Sequence, residues 1–182
     1  MRTIRFRGKR LYDGEWVYGY PLMVDTEKFK SANIVTFDRI YPDTLAKVTT
    51  AVDFNTLGQF TGSKDKNGKE IYEGDIIVFY ELKTYCINPD CEPHLLGYSE
   101  RLHKKTKAVR FEDGIFGVDG EYESIDCLAY LGEWVSDEDY MEELKKDPYF
   151  DANGYDLDSI VGMEVVGNIH DNPDLIEKGG EQ

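Results

Sequence analysis

The chain has 182 residues, 41% of them hydrophobic and 13% aromatic, which is enough to bury a core without staples and too apolar for a disordered chain. Its formal net charge of −15 disfavours nucleic acid as the main partner, because phosphate binding needs a positive footprint. No run approaches the roughly 18 apolar residues of a membrane span, the N-terminus lacks the apolar core of a signal peptide, and the three cysteines fit a reducing compartment, so we expect a cytoplasmic protein with no membrane partner.

"TIRFRG" alternates Ile4 and Phe6 with charges and predicts an opening strand with one buried face. Asp13-Gly14 then marks a hairpin turn. In the run that follows, Trp16, Tyr18 and Tyr20 share one face and Val17 takes the other. Alternating aromatics of this kind are expected in a core or an interface. Gly19 and Pro21 argue for an edge strand or a bend. "NIVTFDRIY" and "AKVTTAVD" read as short strands around Pro42-Asp43.

The stretch "KDKNGKEIYEGDIIVF" offers Asp65 and Asn67 at the first ligand positions of a calcium loop, but Lys69, Glu70 and Ile76 fall where further ligands and a glycine belong. Turn chemistry remains. Asn67-Gly68 supplies two positive-φ positions. A two-residue hairpin built on them sets Asp65 against Glu70, a like-charge pair, so the turn is expected to be short or its arms to diverge. Asp75, after Gly74, is placed to satisfy nearby backbone N–H groups.

"GDIIVFY" reads as a buried strand. Residues 81–107 break the pattern and read as a long inserted loop. "KAVRFEDGIFGVD" is a hairpin on Asp113-Gly114, with Phe111 opposite Phe116, Val109 opposite Val118 and Arg110 opposite Gly117. "SDEDYMEELKKD" is a short helix, capped by Ser136 and closed by Lys145 and Lys146. "MEVVGNIHDNP" is a final strand, and the tail after Leu175 is expected to fray.

These elements predict a mainly β protein, α+β with one short helix. An N-terminal antiparallel β region spans 1–57. A small SH3-like barrel spans 58–170, with the inserted loop 81–107 and an acidic helical segment at 132–158. A C-terminal tail covers 171–182. The segment 121–158 holds 13 Asp or Glu against two Lys, a net charge of −11.

Two basic strips stand against that acidity. Arg2, Arg5, Arg7 and Arg10, with Lys9, form the first; Arg101, Lys104 and Lys105, with Lys107 and Arg110, form the second. Either they meet acidic surfaces of the molecule or of a neighbouring subunit, or they bind a partner. Cys86, Cys91, His94 and His103 are the right ligand types for zinc within 18 residues. The alternative is a loop with free thiols, and no other cofactor is expected. No nucleophile–base motif, zinc-protease motif or dinucleotide glycine pattern is present, so no enzymatic activity is expected.

Four blocks, "IRFRGKRLYDGEWVYGY", "GQFTGSKDKNGKEIYEGDII", "VRFEDGIFGV" and "EVVGNIHDNP", resemble the YopX family of phage and prophage proteins, in that family's order. Residues 81–107 and 132–158 depart from the pattern as elaborations. The resemblance implies a mostly β protein acting in the bacterial cytoplasm and carries no catalytic residues. The function we expect is that of a non-enzymatic interaction protein, a homo-oligomer whose further partner is a host or phage macromolecule. The alternatives are a nucleic-acid-associated protein using the basic strips, and an acidic nucleic-acid mimic that occupies a host protein.

Overall fold

The computed structural model describes residues 4–26, 29–41, 44–86, 98–118, 146, 150–151 and 162–177. Their secondary structure is mainly β, arranged in two sheets. The first has six strands: β1 (Phe6–Lys9), β2 (Trp16–Thr26), β3 (Phe29–Tyr41), β4 (Thr44–Val52), β5 (Gly58–Lys64) and β6 (Glu70–Tyr72). Its order is β4-β3-β2-β1-β5-β6, and its pairings are antiparallel. The second contains β7 (Asp75–Cys86), β8 (Tyr98–Glu112), β9 (Ile115–Val118), β10 (Phe150–Asp151) and β11 (Glu164–Asn168). Its order is β10-β8-β7-β11, with β9 also paired to β8. All of its pairings are antiparallel except β10 on β8.

The first sheet curls. Arg10, just past β1, bridges to Val52 at the end of β4. The Asp53 N–H donates to the Lys9 carbonyl at 2.8 Å, and the Leu11 N–H donates to the Ala51 carbonyl at 3.2 Å. Inside the curl, Ala32, Ile34 and Val52 are buried against Phe6, Val17, Phe54 and Leu57. Gly8 permits the closure, since a Cβ there would lie 2.9 Å from a Val52 methyl. The second core gathers Ile71, Ile77, Phe79, Val109, Phe116, Val118, Met163 and Val165.

The Asp113-Gly114 hairpin has the expected register, Val109 with Val118 and Phe111 with Phe116. Asp113 and Gly114 both take positive φ, 50° and 83°, as a turn of mirror type requires. The Asp65 turn differs from expectation by one residue. Only Gly68 has positive φ (79°). The Gly68 N–H donates to the Asp65 carbonyl and the Asp65 N–H to the Lys69 carbonyl, which is a type I turn closed by a bulge glycine. The extra residue pairs Lys64 with Glu70, so opposite charges face each other and the expected clash disappears.

Two further differences have physical causes. β2 lies between β1 and β3, yet Pro21 falls beyond its last pair with β1, Phe6–Gly19. No β1 partner is there to need the missing N–H. Much of the loop expected at 81–107 is strand. β7 and β8 pair from Ile76–Ala108 out to Cys86–Tyr98. "SERLHKKTK" lacks an apolar period, which is the only sequence signal a buried strand face provides. Beyond Asn168 the chain continues through a turn to α1 (Asp174–Glu177), and residues 178–182 of the expected tail lie outside the described residues. The predicted helix around 136–147 lies outside the described residues except for helical, exposed Lys146.

Candidate functional site

β1 alternates, so Phe6 and Gly8 face the curled core while Arg5, Arg7 and Lys9 project from the other face. On β2, Tyr18 lies opposite Arg7 and Trp16 opposite Lys9. This face is therefore built of cations interleaved with aromatic rings.

Arg7 is only 5% exposed. Its Nη1 lies 2.7 Å from Asp75 Oδ1, and its Nη2 donates to the Glu73 carbonyl at 3.3 Å. The guanidinium carbon sits 4.5 Å from the Trp16 ring centre and 5.1 Å from that of Tyr72, within the range of cation–π attraction. Asp75 is 1% exposed, and its Oδ2 accepts the Tyr72 N–H at 2.8 Å, as the sequence implied. Burial pushes the Asp75 carboxyl above its ordinary value; Arg7 and the Tyr72 N–H oppose that rise. The close approach of strand and turn requires Gly58, where a Cβ would lie 2.4 Å from the Glu73 carbonyl oxygen.

Arg5 ion-pairs with Glu70, and its Nε donates to the Tyr72 hydroxyl at 3.0 Å. That hydroxyl donates to Glu70 Oε2 at 2.9 Å. Burial raises the Tyr72 phenol, and the Arg5 hydrogen bond works against it. Lys9 ion-pairs with Asp171. The other Asp171 oxygen accepts Trp16 Nε1–H at 2.9 Å and Asn168 Nδ2–H at 2.8 Å. The Lys9 hydrogen bond, followed by that of Asn168, holds the Asp171 carboxyl well below the usual range.

The turn carrying Asp171 is set by Asn168, whose Oδ1 accepts the N–H groups of His170 and Asp171 at 3.0 and 2.9 Å. His170 stacks obliquely on Trp16, with ring centres 5.9 Å apart. Burial lowers its pKa, and the charges of Arg7 and Lys9 lower it further. The Ile169 N–H donates to the Gly74 carbonyl and the Gly74 N–H to the Val109 carbonyl, both at 2.9 Å. Segments from both ends of the chain thus meet at one point.

Asp65 is 7% exposed and is a fastening of the same kind. Its Oδ1 accepts the N–H groups of Asn67 and Lys69 at 2.8 and 2.9 Å, and its Oδ2 accepts the Val165 N–H at 3.1 Å. Both oxygens are engaged by backbone donors that tie the turn to β11. On the opposite side of the first sheet, an open groove of about 470 Å³ is lined by Leu11, Ala32, Val52, Phe54 and Asn55, among others. Its one carboxylate, Asp53, caps the 3-10 turn Phe54–Thr56 through Asn55.

The residues singled out in the sequence are dispersed by the fold. Arg5 and Arg7 are held by Glu70 and Asp75, and Arg10 by Asp13 at 2.7 Å and the Tyr12 hydroxyl at 2.7 Å. Lys104 is exposed, Lys105 lies 3.5 Å from Glu81, and Arg101 pairs in register with Lys83 and Asp151. Arg2, Cys91 and His94 lie outside the described residues. Cys86 pairs with Tyr98 and His103 with Glu81, five rungs apart on the β7–β8 ladder. That is about 17 Å of strand, more than one zinc ion can bridge. Among the described residues no cluster of three or more His, Cys, Asp or Glu is assembled around a shared point. Of the residues that organise the face, Asp75 was legible as an acceptor for nearby backbone N–H groups, while Tyr72, His170 and Asp171 carried no signal beyond lying in the blocks that resemble the family.

The class defined by this arrangement is a two-sheet, mainly β protein whose ends are fastened together by a buried ion pair and a C-terminal turn. The chain belongs to the YopX protein family, whose model matches residues 5–177, as the four sequence blocks implied. It is similar to the crystal structure of protein EF1440 from Enterococcus faecalis, at 22% identity over 97% of this chain and 99% of that one, with a TM-score of 0.49. No curated protein matches it. Among the described residues no helix is long and apolar enough to cross a membrane.

Proposed function

We propose that the protein is a non-enzymatic interaction module that works as a homo-oligomer, a phage or prophage protein of the bacterial cytoplasm as its family resemblance implies. One observation carries this reading. The described cations of the N-terminal strip are engaged inside the molecule, while the strand beside them opens Tyr18, Tyr20 and Leu22 to solvent at 47%, 54% and 51%. A row of half-exposed aromatic and aliphatic side chains on one strand face favours protein contact, since such residues dominate interface energetics. Nucleic acid would need those cations free.

Light scattering at low and high salt, paired with a mobility-shift assay, tests the reading. Assembly that persists at high salt is expected, because apolar and backbone contacts are not screened. A monomer under both conditions counts against it. A shifted nucleic-acid band at about 20 mM salt, where phosphate contacts are strongest, would favour the nucleic-acid alternative instead.

A further inference from the structure

β4 forms one margin of the first sheet. Its inner side pairs with β3 along its whole length, from Tyr41–Thr44 to Ala32–Val52. Its outer side is occupied at the C-terminal end only, where the Leu11 N–H donates to the Ala51 carbonyl. That bond fixes which residues look outward. Backbone groups alternate in direction along a strand, so Leu45, Lys47 and Thr49 share the direction of Ala51. Among the described residues, no strand pairs with them. Natural edges are usually blunted by proline, charge, bulges or a covering segment. "TLAKVTTAV" has no proline and no acid, and its one charge is Lys47.

We propose that β4 pairs antiparallel with β4 of a second copy about a two-fold axis at Val48, joining the two curled sheets into one. This rests on the oligomeric reading above and names the surface that carries it. Three observations select the occupant and the register. First, in a chain of net charge −15, Thr44–Val52 carries +1, so two copies meet where neither is negative. Second, an axis at Lys47 would oppose two lysines, and an axis at Thr49 or Thr50 would set the pairs next to its centre on the Ala51 backbone that Leu11 already holds, whereas the axis at Val48 reaches Ala51 only at its outermost pair, with Leu45, so its ladder ends on the two Lys47–Thr49 pairs. An axis at Ala46 would draw on Asp43, outside the strand. Third, the axis at Val48 makes Lys47 and the second copy's Thr49 a hydrogen-bonded pair, twice over. It also sets the β-branched, 39%-exposed Val48 against itself. Antiparallel pairing keeps faces together, so the Tyr18–Leu22 rows of both copies stay open on one side of the joined sheet. They lie five strand spacings apart, about 24 Å. The dimer would offer a partner two such rows.

Cysteine trapping reads the register directly. In a chain with Cys86, Cys91 and Cys127 replaced by serine, Val48→Cys should give a disulfide-linked dimer under mild oxidation. A non-hydrogen-bonded antiparallel pair places its Cα atoms about 4.5 Å apart, within disulfide range. Thr50→Cys should not link, because the two copies of that position would be about 14 Å apart. Lys47→Pro removes an outward N–H and spares the β3 ladder. It should bring the scattering mass down to that of a monomer with the circular dichroism unchanged. If the parent is oligomeric but Val48→Cys fails to link, or links no better than Thr50→Cys, the β4 pairing is overturned and the interaction reading stands. A parent chain that is monomeric at every salt overturns both.

Discussion

Replacing one member of the Arg7–Asp75 pair should unbalance the interior, and the two replacements should not cost the same. Both side chains are nearly inaccessible, and removing one partner of a buried pair leaves an uncompensated charge, typically about 3–5 kcal/mol. In Arg7→Met the orphan is Asp75, which can take up a proton. Its pKa is already raised by burial, and the loss of Arg7 raises it further. In Asp75→Asn the orphan is Arg7, which cannot deprotonate and keeps only the Trp16 and Tyr72 ring faces and the Glu73 carbonyl. Asp75→Asn should therefore cost about 4–5 kcal/mol and Arg7→Met about 3. With a urea slope of about 2 kcal/mol per M, the midpoints fall by about 2 M and 1.5 M. The double variant should lose less than the sum, since neither charge is then stranded. The sign of the pH effect follows from the raised pKa. The folded Arg7→Met chain holds the Asp75 proton more tightly than the unfolded chain does. Its stability is thus lost as pH rises from the unfolded carboxylate value through the raised one, and its deficit should be smaller at pH 5 than at pH 7. Additive single costs, or single costs below about 1 kcal/mol, would refute the reasoning that this pair fastens the sheets.

Asp65→Ala should destabilise by about 3 kcal/mol or more, because three backbone N–H groups lose their acceptor at once and that of Val165 is buried; calorimetry would read the drop in Tm. Gly58→Ala should cost about 1–3 kcal/mol, since the new methyl meets a backbone oxygen that cannot rotate away. A urea midpoint equal to that of the parent would show that the β5–Glu73 approach is looser than its geometry. Lowering the pH should loosen the C-terminal turn in two stages. His170 has a lowered pKa, so its contribution is present above the unfolded value and is lost as pH falls through about 6.5 and below. Asp171 has a lowered pKa too, so its contribution persists until pH falls below the ordinary carboxylate range. Trp16 fluorescence against pH should show both stages, and His170→Gln should remove the first alone.

The legible parts of the fold were those where one residue type settles one geometry. Asp113-Gly114 has two positive-φ positions and flanking apolar alternation, so the register of its hairpin could be written down rung by rung. Asp65-Lys66-Asn67-Gly68 was legible as a turn but not as a register. Choosing between a two-residue turn and a turn with a bulge depends on where the Asp65 carboxylate goes. It goes to Val165, 100 residues away. The β7–β8 arm was illegible for another reason. Beyond the core its faces carry Lys104, Lys105, Lys107 and Glu81, and charges on both faces of a strand leave no apolar period-two signal. The Arg–aromatic face was half legible. The alternation of Arg5, Arg7 and Lys9, and of Trp16, Tyr18 and Tyr20, was plain, whereas their acidic partners arrive from Glu70, Asp75 and Asp171 through contacts that span most of the chain.

That division bears on where function lies. The four blocks that carry the family resemblance are the segments that meet at Arg7, Gly74, Val109 and Ile169. Within that meeting point, Arg5, Arg7 and Lys9 each have an acidic partner in the same molecule. A pattern of this kind specifies how the two sheets are joined, so the motifs that identify the family are folding chemistry. On the reading proposed above, the surfaces that act on other molecules lie away from that junction, on the Tyr20–Leu22 stretch of β2 past its last pair with β1, and on the outer edge of β4. Substitutions at Tyr20, Leu22 or Val48 should leave the urea midpoint nearly unchanged and alter association, while substitutions at Arg7, Asp65 or Asp75 should do the reverse. Unfolding and light scattering run on the same set of variants would separate the two groups, and a variant from the first group that unfolds as early as Asp75→Asn would break the division.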